Sequence, residues 1–164
     1  MRDVRGSRAA DALPHMIGDV TEQEYDTLMA VNAKGPFFLI QRAGRALRDG
    51  GRIIAISSVN TRLHPPGGAL YTGGKGAVEN FIKVAAIEYG ERGITANIIS
   101  PGATDTEGLR DANPGDTFEG IVAETALRRL GRPDDIASAV AMLAGPDAAW
   151  ITGQNIAVDG GIMP

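Results

Sequence analysis

The chain has 164 residues, 43% of them hydrophobic and 22% charged, which suits one globular domain spanning residues 1–164 with a core of its own. Its net charge of −4 excludes the basic face that nucleic-acid binding needs, and the lack of cysteine excludes disulfides and thiolate metal sites. The opening MRDVRGSRAAD has no apolar leader and no run reaches the ~18 apolar residues of a membrane span, so the expected compartment is the cytoplasm, with no membrane partner.

Thr21 and Glu24 have capping-box spacing, the hydroxyl serving an orphan amide and the carboxylate reaching back. A helix is predicted to follow, with Tyr25, Leu28, Met29, Phe37, Leu39 and Ile40 toward the core. It should end near Gly50 and Gly51, with Pro36 as a point of kinking. Residues 52–57 form a short apolar run without alternation, as in a strand covered on both faces. Residues 64–68, HPPGG, read as a loop. A long helix fits residues 71–90, burying Val78, Phe81, Ile82, Ala85 and Ile87.

Gly93 ends that helix, and residues 95–100 predict a second buried strand, stopped by Pro101 and Gly102. Residues 103–113 are small, polar and acidic, and predict a loop; helical character returns around residues 118–127. Pro133, with Asp134 and Asp135 near the positive end of a helix dipole, opens a helix to Leu143. A last strand at residues 154–158 precedes Asp159. Strands alternating with helices imply a parallel sheet with crossovers on its faces. Trp150 and Met142 are expected in the core or at a subunit contact. His15 and His64 lack a partner at ligand spacing and read as loop residues, so no metal site is expected.

The chemistry lies at Ser58, Tyr71 and Lys75. Taken singly, a serine after a strand bonds its own loop, a tyrosine at a helix start packs, and a lysine is solvated. Together they differ. Tyr71 and Lys75, four apart, share a helix face, so an ammonium beneath the phenol favours phenolate and lowers a pKa normally near ~10. Ser58 and Pro101 each follow an apolar strand, and ligands of α/β sheets lie outside the carboxyl ends of the strands. Gly67, Gly68, Gly73, Gly74 and Gly76 let a ligand approach the backbone around Tyr71 closely. Such a set transfers a proton to or from a carbonyl or alcohol oxygen.

The pieces VNAKGPFFL, IIAISS, YTGGKGAV, NIISPG, RLGRPDDIA and ITGQNIAVDGG follow one another in a specific order and spacing. With them the chain, from about residue 17 onward, resembles the C-terminal part of the short-chain dehydrogenase/reductase family, most closely its 3-oxoacyl-carrier-protein-reductase-like branch. The resemblance implies an α/β fold: a partial Rossmann-type parallel sheet of about three strands with flanking helices. It implies an oxidoreductase moving hydride between NAD or NADP and a small-molecule carbonyl or secondary alcohol. In that role Tyr71 protonates the nascent alkoxide. Lys75 lowers the Tyr71 pKa and holds the nicotinamide ribose, Ser58 bonds the substrate oxygen, and Asn32 keeps a water in the proton relay. Pro101, Gly102, Thr104 and Thr106 match the segment touching the nicotinamide end of the cofactor. The acidic residues 105–116 would then be either a substrate lid or a solvated loop.

Two departures from the family pattern shape the expectation. The family usually has Ala-Ser where Gly73 and Gly74 stand, and each glycine loosens a helix start by up to ~1 kcal/mol relative to Ala. The family's N-terminal βαβ half, with its glycine-rich turn TGxxxGxG, is not matched, and that turn seats the pyrophosphate on a helix N-terminus. Residues 71–76 do not replace it, because a phosphate loop has glycine where Ala69 stands and a hydroxyl where Gly76 stands. The expectation is therefore weak or no cofactor binding by this chain alone. An open strand edge at residues 52–57 should also make the isolated monomer marginally stable. Partners follow from this: a homo-oligomer, or a hetero-oligomer in which the chain is a structural or regulatory subunit of a full-length homologue. A mis-started reading frame is the third expectation.

Overall fold

A computed structural model describes residues 15–162. The opening segment, read above as lacking a leader, lies outside the described residues. The capping box forms as expected at the start of α1 (Glu22–Met29): the Glu24 amide donates to Thr21 Oγ1 at 3.3 Å, and the Thr21 amide donates to the Glu24 carboxylate at 2.8 Å.

A π-helical turn at Ala30–Lys34 joins α1 to α2 (Gly35–Ala46). Pro36 has no N–H and cannot continue an α-helical ladder. The Gly35 amide donates instead to the Ala30 carbonyl, one residue further back than in an α-helix. One extra residue rotates everything downstream by about 100°. The apolar positions on either side of the turn therefore fall out of phase. Leu28, Asn32, Ala33 and Gly44 are buried, whereas Phe37 and Leu39, expected in the core, are exposed, and Tyr25 is half exposed.

The sheet has three parallel strands in the order β1 (Arg52–Ile56), β2 (Thr95–Pro101), β3 (Asn155–Val158), with Ile54 opposite Asn97 and Ile99 opposite Ile156. Helix α4 (Ala69–Glu88) covers one face, packing Val78 and Ile82 on Ala96 and Ile98. Helix α7 (Pro133–Ala144) covers the other, packing Leu143 on Ile99. Adjacent residues of β2 thus point into two different cores, and each isoleucine so buried contributes about 1.5–3 kcal/mol. The alternation of strands and helices predicted this α/β architecture.

Several expectations are corrected. Strand β1 has one neighbour among the described residues, the open edge expected at residues 52–57. It was also read as covered on both faces, but of its residues Ile53 is buried whereas Ile56 is exposed. Ile87 was placed in the core and is 82% exposed; it lies five residues beyond Ile82, on the opposite side of α4 from the buried row Val78, Ile82 and Ala85. Of the two places expected for Trp150 and Met142, the core is ruled out, since Trp150 is 99% exposed and Met142 half exposed. The stretch after Pro101 was read as loop but contains α5 (Glu107–Ala112). Thr106 nucleates it by accepting the Leu109 amide at 3.2 Å, and Arg110 bonds Asp105 at 2.7 Å. Short helices α3 (Asn60–Leu63) and α6 (Glu119–Glu124) complete the connections.

Asp135 acts at the start of α7 as the dipole argument anticipates. It accepts from the Arg129 guanidinium at 2.6 Å and the Arg132 amide at 2.7 Å, and these hold its carboxyl down from 3.8 to about 2. A carboxyl with a depressed folded-state pKa stabilises above its unfolded value and loses that contribution as pH falls through the folded one. Asp135→Asn is therefore expected to lower the urea midpoint at pH 7. The gap to the parent should close as pH falls from about 5 toward 2; a gap independent of pH would contradict this.

Candidate active site

The carboxyl rim of the sheet is built by backbone continuity. Beyond β1 the Ser57 amide donates to the Ile99 carbonyl at 2.8 Å and the Val59 amide to the Pro101 carbonyl at 3.1 Å, so the turn runs on alongside β2. Ser58 is buried in that turn. Its Oγ accepts the Asn60 amide at 3.2 Å, which uses a lone pair and leaves the O–H to donate. Tyr71 and Lys75 stand one turn apart in the first part of α4, with the Lys75 Nζ 5.8 Å from the Tyr71 ring centroid, within cation–π reach. The same Nζ donates to the Ile56 carbonyl at 3.2 Å. Lys75 thus ties the helix bearing the phenol to the strand end two residues before Ser58.

Asn32 is buried in the π-helical turn and donates through Nδ2 to the Leu28 carbonyl at 3.1 Å. Its side chain abuts Gly74, where an added Cβ would stand 2.6 Å from the Asn32 Cβ. Asn32 is therefore seated against the turn of α4 between Tyr71 and Lys75. Asn32 and Lys75 also line a largely apolar groove of about 620 Å³ beside β1, with Leu39, Ile53 and Val78 among its walls.

Pro101 ends β2, and the Gly102 amide donates to the Val158 carbonyl at 3.1 Å. Any side chain at Gly102 would meet the Asp159 Cα at 2.8 Å, so the backbones of the two strand ends touch here and only glycine fits. Thr104 donates to the Gly102 carbonyl at 3.0 Å. The structure thus brings Asn32, Tyr71 and Lys75 together around the start of α4, and places Ser58, Pro101 and Gly102 on adjoining strand ends. Thr106 differs: it is exposed, and its oxygen is engaged as the α5 cap.

One carboxylate was missed. Glu79, on α4, accepts from Ser57 Oγ at 2.6 Å and lies 2.8 Å from Thr61 Oγ1. Its spacing of four from Lys75 on one helix face was visible in the sequence, but its partners come from another element. Among the described residues, no group of three His, Asp or Glu could hold a metal ion, and no helix is long and apolar enough to cross a membrane.

Burial disfavours the charged form of Lys75 and lowers its pKa below the ordinary 10.5. The unfolded chain then holds this proton more tightly than the folded one. Stability consequently rises as pH climbs from the depressed folded value toward the unfolded one, and the cost of burial is fully present at lower pH. Lys75→Met removes that cost and also the bond to the Ile56 carbonyl. Its stability relative to the parent is therefore expected to be highest at neutral pH and to fall as pH climbs toward 10.5 in urea melts; a relative stability that rises with pH would refute the burial of this charge.

A phenol and an ammonium one turn apart on a helix, the ammonium bonded to the strand end two residues before a serine hydroxyl, are groups of the kind that hold a carbonyl or alcohol oxygen and move a proton at it. A family model described as enoyl-(acyl carrier protein) reductase matches residues 6–163. An uncharacterized oxidoreductase of Methylorubrum extorquens is 45% identical over 148 residues, covering 89% of this chain and 60% of the relative. A versicolorin reductase of Emericella nidulans is 40% identical over 171 residues, covering 97% of this chain and 65% of its own length. Among solved structures, an angucycline C-6 ketoreductase with bound NADP superposes with a TM-score of 0.84 at 39% identity, covering 90% of this chain and 57% of that one. A short-chain dehydrogenase/reductase of Serratia marcescens gives 0.84 at 36% identity, covering 92% and 61%. The chain spans about three-fifths of the length of the proteins it matches. On the order of its motifs, its fold and these matches, the chain belongs to the short-chain dehydrogenase/reductase family.

Proposed function

We propose that this chain carries the proton-transfer side of an NAD- or NADP-dependent oxidoreductase that reduces a carbonyl or oxidises a secondary alcohol. The observation that carries the reading is the Tyr71–Lys75 pair, tied through the Ile56 carbonyl to the strand end preceding Ser58. In ketone reduction Ser58 donates to the substrate oxygen and Tyr71 gives it a proton. Lys75 keeps the phenolate favourable, and Asn32 anchors a water that resupplies the proton. A nicotinamide, when bound, supplies or accepts the hydride.

The residues fit the nicotinamide end of such a cofactor. Lys75 makes one bond to Ile56 and an ammonium has three donors, so two remain for ribose hydroxyls. The tight backbone at Pro101 and Gly102, with Thr104 beside it, offers a close-fitting wall, and Thr106 follows on the same segment. The solved relatives with NADP or NADPH bound support this choice of cofactor. The setting proposed with it is cytoplasmic, with a small-molecule carbonyl or alcohol as substrate and assembly into a homo-oligomer.

One observation favours a second reading. The open edge of β1, the apolar groove beside it and the exposed Leu39 suit a chain docked as a structural or regulatory subunit on a full-length homologue. Fluorescence titration with NADPH, followed by reduction of α-tetralone as a probe ketone, separates the two. Saturable binding with turnover is expected for the enzyme. No binding at millimolar NADPH would remove that reading and leave the subunit.

A further inference from the structure

Ser58 is flanked by two hydroxyls that converge on one carboxylate. Ser57, immediately before it, donates to Glu79 Oε1 at 2.6 Å, and Thr61, three residues after it, approaches the same oxygen at 2.8 Å. Thr61 Oγ1 also lies 2.9 Å from the Ser58 carbonyl, so its single hydrogen is shared between the backbone of Ser58 and Glu79. Glu79 sits on α4, one turn beyond Lys75 and two beyond Tyr71. A charge-assisted bond on each side of Ser58 therefore fastens its turn to the helix that carries the phenol and the ammonium.

The geometry points to Glu79 as a positioning residue: its carboxylate cross-links residues 57 and 61 to α4 and so sets where the Ser58 hydroxyl stands relative to Tyr71. The catalytic part of this inference rests on the oxidoreductase reading above; the cross-link itself does not. The Lys75 bond to Ile56 anchors the strand side of the same turn, and the Val59 amide bond to Pro101 anchors its far side to β2. Among the described residues, Glu79 alone bonds both hydroxyls next to Ser58. Without it the turn keeps its backbone bonds to β2 and the Lys75 bond at Ile56, but residues 57 and 61 lose their side-chain link to α4.

The test compares Glu79→Ala with Glu79→Gln, since Gln keeps an acceptor oxygen for both hydroxyls and Ala keeps none. Amide hydrogen exchange on the full chain is expected to speed up about tenfold or more at residues 58–61 in the Ala variant, with the β2 core amides unchanged and the Gln variant close to the parent. Ser57→Ala combined with Thr61→Val removes the donors instead and should give the same local effect. With NADPH and α-tetralone, the Ala variant is expected to lose about tenfold in kcat with KM little changed. Placed in a Ser58→Ala background, the same change should cost nothing further, because Glu79 acts through Ser58. Unchanged exchange at residues 58–61 in the Ala variant overturns the proposal, as does a loss that simply adds to that of Ser58→Ala. If the parent chain does not turn over, the oxidoreductase reading falls, and the exchange measurement still decides the cross-link.

Discussion

Tyr71→Phe is expected to lower kcat for ketone reduction by roughly 10²–10⁴-fold, the range a positioned general acid contributes. The substitution removes one oxygen. The aromatic ring that faces Lys75, at 5.8 Å, stays in place, and so does the helix around it. Stability should therefore remain within about 0.5 kcal/mol of the parent, as for a change that opens no cavity and strands no buried polar group. NADPH binding should weaken little, since Lys75 and the segment at Pro101 and Gly102 are untouched. The measurement is steady-state NADPH consumption with α-tetralone, alongside a urea melt of each protein. Parental turnover in the Phe variant would remove Tyr71 from the mechanism. A collapse of stability would mean that the hydroxyl holds the fold instead.

Gly74→Ala is expected to destabilise the protein by about 1–3 kcal/mol, the usual cost of forcing an extra carbon into a packed contact. An added Cβ there meets the Asn32 Cβ at 2.6 Å, and no rotation of the Asn32 side chain moves that atom. Helix α4 must therefore move off the π-helical turn, which shifts Lys75 relative to the strand end. Gly73→Ala is the opposite case: nothing lies within 4 Å of the position, so the helix gains up to about 1 kcal/mol from better propensity and a less flexible unfolded chain. Two neighbouring, chemically identical substitutions should thus move the urea midpoint in opposite directions. Equal effects at both sites would show that α4 does not approach the π-helical turn as closely as described. The family departure at these positions accordingly divides in two. Gly73 only loosens the helix, whereas Gly74 is required by the close approach of Asn32.

Legibility in the sequence varied with the range of the interactions involved. The capping box at Thr21 and Glu24, the proline start of α7 and the three strands were all readable, because each rests on residues within a few positions of one another. The errors fall where a local rule meets a distant one. The periodicity that placed Phe37 and Leu39 inside allowed for a kink at Pro36 but not for an extra residue in the turn before it, and the π-helical turn shifted the face. Helix α5 went unseen because small, acidic residues resemble a loop, although Thr106 had the character of an N-cap. Thr106 was also matched to a cofactor segment; in the fold its oxygen accepts the Leu109 amide as the α5 cap, which leaves its O–H to donate.

The covalent spacing of Tyr71 and Lys75 determined by itself that a phenol and an ammonium share one helix face, since 3.6 residues per turn leaves no other arrangement. The apolar run at residues 95–100 likewise determined that β2 would be buried between helices. Which groups meet across the chain was decided only by packing. Helix α4 had to settle on β1 and β2 before Lys75 could reach the Ile56 carbonyl, Gly74 could admit Asn32, and Glu79 could gather Ser57 and Thr61. Those contacts join residues far apart in the chain, as between Asn32 and Gly74. Local propensity carries no information at that distance; the hydrophobic docking of α4 on the sheet supplies it.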